Sequence, residues 1–330
     1  MKKIRKVLSI LMTFAVLVSL TACGSSSESS QDQGESTGKK QDSSDARTIA
    51  FVPPSMISPY YKAVLNGVEE ECNKLGIELV SLAPESESDY EAQVQIIEDQ
   101  ITKGVDGLIV CAINSDAVIS AIKKANEANI PVVMFNTQTE LQGVNIDCYV
   151  KYDQYEAGGK VADFIAEKMG EDLNVAIVEG LPSDVSTQRM NGFVNTVDEK
   201  YPGIKVVANQ AGDWEREKGM NAAANMLQAN PDIDVIFTLS DEMGLGAVQA
   251  VKQANSNAKV CSFDGNPNAV YSVQQGELYS TVYIGGPDTG IKCTDALNST
   301  FSGEKIEKTI MIDTEIVSSE NADDYPAEVD

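Results

Sequence analysis

The sequence predicts an α/β protein built as two doubly wound, parallel-sheet lobes. Three observations predict it. From Thr48 onward, short apolar runs alternate with amphipathic stretches of about 12 to 17 residues, the pattern of strands joined by crossover helices. The alternation begins afresh after Tyr152, so the chain holds two similar halves. Of its 330 residues, the 308 from Cys23 onward are too many for one small core and suit two bodies of about 150.

The elements follow in order. Ile49-Ala50-Phe51-Val52 reads as a strand. Ser58-Pro59 then supplies an N-cap and a first-turn proline, Tyr61, Val64, Leu65, Val68, Cys72 and Leu75 form one helical stripe, and Gly76 stops it. Strand Ile77-Leu82 precedes a helix over Tyr90-Lys103, strand Gly107-Cys111 a helix over Asp116-Asn129, and strands Pro131-Phe135 and Val144-Tyr149 complete the first half. The second half opens with helix Gln154-Met169 and continues as strand Val175-Val178, helix Thr187-Lys200, strand Ile204-Ala208, helix Glu215-Asn230 and strand Val235-Leu239. Helix Glu242-Ala254, strand Val260-Phe263, helix Ala269-Gln275 and strand Tyr279-Ile284 end the series.

Ahead of this body, Lys2, Lys3, Arg5 and Lys6 precede an apolar run from Val7 to Leu20, which ends in Leu20-Thr21-Ala22-Cys23. The arrangement reads as a lipoprotein signal peptide over 1–22, with small residues admitting the peptidase and the Cys23 thiol taking the lipid. The apolar run is too short to span a bilayer. Residues 24–46 are polar, without an aromatic or a large aliphatic side chain, and cannot bury enough surface to fold. A lipidated tether over 23–46 is expected, with an end-to-end distance of about 25 to 30 Å.

The formal net charge is −25, and removing residues 1–22 takes away four cations and no anion, which leaves −29. That balance opposes nucleic acid and anionic headgroups and favours solubility. Six cysteines occur without a CxxC spacing, and histidine is absent, so neither a metal site nor a disulfide framework is expected. Cys72 and Cys261 fall at apolar-periodic positions and read as small buried hydrophobes. The absence of histidine also removes the commonest general base. No GxSxG elbow or Walker loop is present, and Gly244-Leu245-Gly246 lacks the third glycine of a dinucleotide fingerprint. No cofactor is expected.

Ligands of open α/β sheets bind beyond the carboxyl ends of the strands. The loops there run through Ser55 to Tyr61, Cys111 to Ser115, Asn136 and Thr137, Gly180 to Arg189, Asp213 and Trp214, Ser240 and Asp241, Asp264 to Asn266, and Ile284 to Asp288. They hold the only tryptophan, a tyrosine pair, an arginine, and several amides and carboxylates. Flat aromatic faces combined with hydrogen-bonding ends suit a sugar.

At these loops the chain resembles the ribose-type periplasmic sugar-binding proteins, the substrate-binding subunits of ABC importers. Ser58-Pro59-Tyr60-Tyr61, Asn114-Ser115-Asp116-Ala117-Val118, Ala128-Asn129-Ile130-Pro131-Val132, Gly158-Gly159-Lys160, Arg189-Met190-Asn191-Gly192-Phe193, Asp241-Glu242-Met243 with Leu245-Gly246-Ala247, and Phe263-Asp264-Gly265 carry the resemblance, which runs from about Thr48 to Val317. It implies the type I periplasmic-binding fold, with hinge crossings near Tyr152, Gly286 and Ile310. The amino-terminal lobe is then 47–152 plus 287–310 and the carboxyl-terminal lobe 153–286 plus 311–330. It also implies lobes that close on the ligand, a membrane permease as partner, and a monomer.

The family's sandwiching aromatics fall on Tyr60, Tyr61 and Trp214, its cleft arginine on Arg189 and its carboxylate on Asp264. Elsewhere the chain departs from the ribose pattern. Cys111 stands for an Asn, Asn136-Thr137 for Asp-Arg, Ser240 for an Asn, and Ile284 for a Gln. Hydrogen bonds to ribose are thereby lost, so a changed specificity is expected. Two other functions compete with import: presentation of a sugar-like signal or nucleoside to a membrane sensor, and a glycosidase that uses two of Asp184, Asp213 and Asp264.

Overall fold

Residues 46–329 are described by a computed structural model. The expected signal peptide, the lipidation position Cys23 and nearly all of the tether lie outside the described residues. The strands form two six-stranded sheets. The first is ordered β11-β5-β4-β3-β1-β2, from β1 (Thr48–Val52), β2 (Glu78–Ser81), β3 (Gly107–Val110), β4 (Val132–Phe135), β5 (Cys148–Lys151) and β11 (Thr309–Met311), and is parallel throughout. The second is ordered β12-β10-β9-β8-β6-β7, from β6 (Asn174–Glu179), β7 (Lys205–Ala211), β8 (Val235–Thr238), β9 (Lys259–Asp264), β10 (Ser280–Tyr283) and β12 (Glu315–Ser318). Only β12 runs antiparallel there. β1, β3, β4 and β8 are almost wholly buried, as parallel strands covered on both faces must be.

Helices α1 (Pro59–Leu75), α2 (Tyr90–Lys103), α3 (Ser115–Glu127) and α9 (Gly286–Phe301) accompany the first sheet. Helices α4 (Gln154–Met169), α5 (Asp184–Lys200), α6 (Arg216–Ala229), α7 (Asp241–Ala254) and α8 (Pro267–Gln274) accompany the second, with a short 3-10 turn at Ala322–Asp324. Local chemistry sets the helix starts. Asn114 accepts from the amides of Asp116 and Ala117, Asp153 from Glu156, Ser183 from Ser186 and Ser240 from Met243. Gly76 and Gly104 end α1 and α2 in the left-handed conformation. Because the caps sit at the carboxyl ends of strands, they also fix where each following loop turns.

α4 and α5 cross closely enough to exclude side chains. A Cβ on Gly158 would lie 2.1 Å from the carbonyl oxygen of Arg189, and one on Gly192 would lie 2.0 Å from that of Tyr155. The crossing brings the start of α5 onto the start of α4.

One expectation shifts. The last strand of the first half occupies Cys148–Lys151 rather than Val144–Tyr149. Ile146 is buried and Val144 partly buried from a loop, which Asn126 holds through bonds to the amide and carbonyl of Asn145. Ile310 lies inside β11 of the first sheet, and the chain next enters β12 of the second. Ile312 still donates to the Lys151 carbonyl, and Lys160 binds the carbonyl and hydroxyl of Thr314 at 3.0 and 2.9 Å.

Candidate functional site

The carboxyl ends of both sheets face one cavity of about 300 Å³. From the first sheet, the start of α1 brings Tyr60 and Tyr61, the loop before α2 brings Glu87, and the residues just after β3 and β4 bring Cys111 and Asn136. From the second come Arg189 of α5, Trp214 after β7, Ser240 after β8 and Asp264 at the end of β9. Four of the six non-glycine residues with positive φ among the described residues lie at these strand ends: Asn136, Asp213, Trp214 and Asp264, the last at φ 123°. Strained backbone of this kind persists where the surrounding packing dictates it.

Arg189 is the hub. It is 3% exposed, and its Nη1 donates to Asp264 at 3.0 Å and to the Leu239 carbonyl, its Nε to Gln154 at 2.7 Å, and its Nη2 to the Tyr152 hydroxyl. Its guanidinium also lies 4.0 Å from the centre of the Phe263 ring and 5.9 Å from that of Trp214. Gln154 in turn donates to Asn136 at 2.7 Å. One continuous network thus joins a residue after β4 of the first sheet to Asp264 of the second. Burial pushes the Asp264 carboxyl up to about 6, against the opposing pull of Arg189. Burial, with the charge of Asp264 added, raises its neighbour Asp241 as well; Asp241 is tied to Ser262, Thr281 and the Asn266 amide.

The aromatic walls are fixed rather than free. Tyr60 and Tyr61 are both buried and meet edge to face at 5.4 Å, and the Tyr61 hydroxyl lies against the Cys111 thiol. Burial raises that thiol far above its ordinary value, so Cys111 is an unreactive wall. Trp214 fits because residue 180 is glycine: a Cβ there would stand 2.0 Å from the indole ring. All five described cysteines are free and buried.

Of the residues singled out from sequence, the cavity gathers Tyr60, Tyr61, Cys111, Asn136, Arg189, Trp214, Ser240 and Asp264. Thr137 and Ile284 do not line it. The Thr137 hydroxyl turns back to the Phe135 carbonyl at 3.1 Å, and Ile284 is fully buried in the core. Gln154, Tyr152 and Glu87 were missed. Glu87 was within reach, because it lies in the loop after β2, a strand end like the others. Gln154 carries no such signal, since in sequence it is an ordinary first-turn helix residue.

A two-lobed α/β body with a ligand-sized cavity between the carboxyl ends of its sheets, lined by a buried ion pair and aromatic side chains, defines the class of hinged cleft-binding proteins. The chain belongs to the periplasmic binding protein family, in its ribose-type sugar-binding branch: the family model described as "Periplasmic binding protein domain" matches residues 49–305. The ribose import binding protein of Bacillus subtilis strain 168 is 32% identical over 307 residues, covering 93% of this chain and 96% of the relative. The D-allose-binding periplasmic protein of Escherichia coli K12 is 30% identical, over 81% of this chain and 88% of its own length. Among solved structures, a periplasmic solute-binding protein of an ABC transporter from Actinobacillus succinogenes 130z, with bound D-allose, is 31% identical with a TM-score of 0.81, covering 84% of this chain and all of the other.

Proposed function

We propose that this chain is an extracytoplasmic solute-binding lipoprotein of an ABC importer, which takes up a monosaccharide or related polyol in the interlobe cleft without converting it. The Arg189-centred network is the observation that carries the reading. It holds charged and amide groups rigidly at a cavity of sugar size, where charge-assisted hydrogen bonds to hydroxyls are strong. Tyr60, Tyr61 and Trp214 supply flat faces for ring C–H groups, and Asn136, Arg189, Ser240 and Asp264 supply the polar contacts. Cys111 closes one wall. The binding-protein names of the relatives above support the same reading.

The lobes rock about the crossings near Tyr152, Gly286 and Thr314, and the closed form docks on a membrane permease. Lipid on Cys23 and the tether over 23–46 keep a monomeric receptor close to that permease.

Thermal unfolding of the chain from Cys23 onward, against pentoses, hexoses, amino sugars and polyols, tests the binding. A ligand at about 100 times its dissociation constant stabilises by roughly 2.7 kcal/mol, a rise of about 4 °C at this chain length. If no compound of the panel raises the transition, the reading fails. Mass analysis of the membrane-extracted protein tests the anchor: an unmodified amino terminus upstream of Cys23 would remove it.

A further inference from the structure

The charges facing the cavity do not balance. Arg189 is committed to Asp264, Gln154, Tyr152 and the Leu239 carbonyl. Glu242, which also reaches the cavity, is clasped by Arg216 through bonds of 2.8 and 3.0 Å. Glu87 has no such counter-charge. Its Oε1 accepts the Ser55 hydroxyl at 3.1 Å, and among the described residues no lysine or arginine forms an ion pair with it.

Glu87 is nonetheless well placed to meet a ligand. It is half-buried at the cavity edge, on the side of the first sheet, close to Tyr61 and the Cys111 thiol. Burial raises its carboxyl, the hydrogen bond from Ser55 opposes the rise, and the negative charge of Asp264 from the second sheet adds to it, so Glu87 feels a second carboxylate without a cation of its own. A metal ion is a poor candidate for the missing charge: no group of three or more metal-binding side chains occurs among the described residues. The walls around Glu87 favour an organic cation instead. Beside Glu87 lie the Tyr61 ring, which attracts positive charge to its face, and the buried Cys111 thiol, a weak partner for a ring hydroxyl.

We propose that the ligand of this cleft is an amino-substituted sugar or polyol whose protonated amine is seated against Glu87, with its hydroxyls turned toward Asn136, Arg189 and Asp264. The inference rests on the sugar-binding reading above and narrows it. Glu87 would form the ion pair with that amine, and so determines which ring substituent is accepted.

Calorimetric titration of matched compounds tests it: glucosamine, galactosamine and mannosamine, each against its neutral parent hexose and its N-acetyl derivative. The expected result is that at least one amine binds roughly tenfold or more tighter than both of its uncharged counterparts, the scale of one charge-assisted hydrogen bond. Glu87→Gln brings that ratio close to one, while Glu87→Asp retains part of it. If no amine binds more tightly than its neutral hexose, the inference is overturned and the sugar-binding reading stands. A Glu87→Gln variant with an unchanged ratio has the same consequence. If neither amines, neutral hexoses nor the wider panel bind, the sugar-binding reading falls and the inference falls with it.

Discussion

Replacing Arg189 by alanine removes the cation from a pair whose side chains are 4% and 9% exposed. Asp264 would lose its only arginine, and the Leu239 carbonyl, Gln154 and Tyr152 would each lose a donor. Breaking one side of a buried pair costs about 3 to 5 kcal/mol. Two features hold the expected cost near the lower figure. Asp264 already sits near 6 and takes up a proton readily once Arg189 is gone, and the vacated space opens on the cavity, where water can enter. A loss of about 3 kcal/mol corresponds to about 5 °C in the unfolding midpoint for a body of this size. The fold survives, given an ordinary stability of about 5 to 15 kcal/mol.

Circular-dichroism melts of Arg189→Ala, Asp264→Asn and the double variant measure this directly. The double variant is expected to be more stable than Arg189→Ala alone, because it removes the orphaned carboxylate, with a coupling of roughly 1.5 to 3 kcal/mol. If Arg189→Ala melts within about 0.5 kcal/mol of the parent and the cycle shows no coupling, the buried network is not the structural centre of the cleft.

Asp264 titrates at about 6 in the fold against roughly 3.9 in an unfolded chain, so the folded state holds the proton more tightly. Through this group the unliganded protein is therefore stabilised as pH falls from above 6 toward 4, the opposite of a carboxylate whose pKa is depressed by pairing; melts across that range read the sign. A ligand that donates hydroxyls to the ionised carboxylate binds more weakly over the same descent, which titrations on either side of pH 6 measure. Trp214 is the only tryptophan, so ligand binding is expected to change the intrinsic emission, and an unchanged spectrum at saturation would place the ligand away from it. Gly180→Ala drives a methyl group to about 2 Å from that indole and is expected to weaken binding at least tenfold while costing about 1 to 3 kcal/mol of stability. Gly158→Ala pushes α4 off α5 and is expected to cost a similar 1 to 3 kcal/mol, because the carbonyl of Arg189 stands in the way.

The alternating pattern was legible because it is local. Strand Gly107–Val110 and helix Gln154–Met169 announce themselves through apolar runs and caps that each segment carries within its own residues. α9 escaped because its buried face is Thr289, Gly290, Cys293, Thr294, Ala296 and Leu297, a stripe of small and polar side chains that only close packing against α1 turns into core. β11 has three residues and pairs with a strand more than 150 positions away, too short to read and too distant to infer. Of the positions carried over from the resemblance, Asn136, just after β4, and Asp264, the last residue of β9, line the cavity, whereas the Thr137 hydroxyl turns to the Phe135 carbonyl and Ile284 lies in the core.

The sequence by itself determined the two-lobed α/β architecture and the loops that meet at the cleft, since periodicity, caps and strand ends are properties of short segments. Only the tertiary structure decided which side chains meet. The close crossing of α4 and α5 puts Gln154 between Asn136 and Arg189, and the absence of a side chain at Gly180 lets Trp214 approach. Glu87 faces the cavity without a cation for the same reason: partnership depends on distances between residues remote in the chain, which no local pattern encodes.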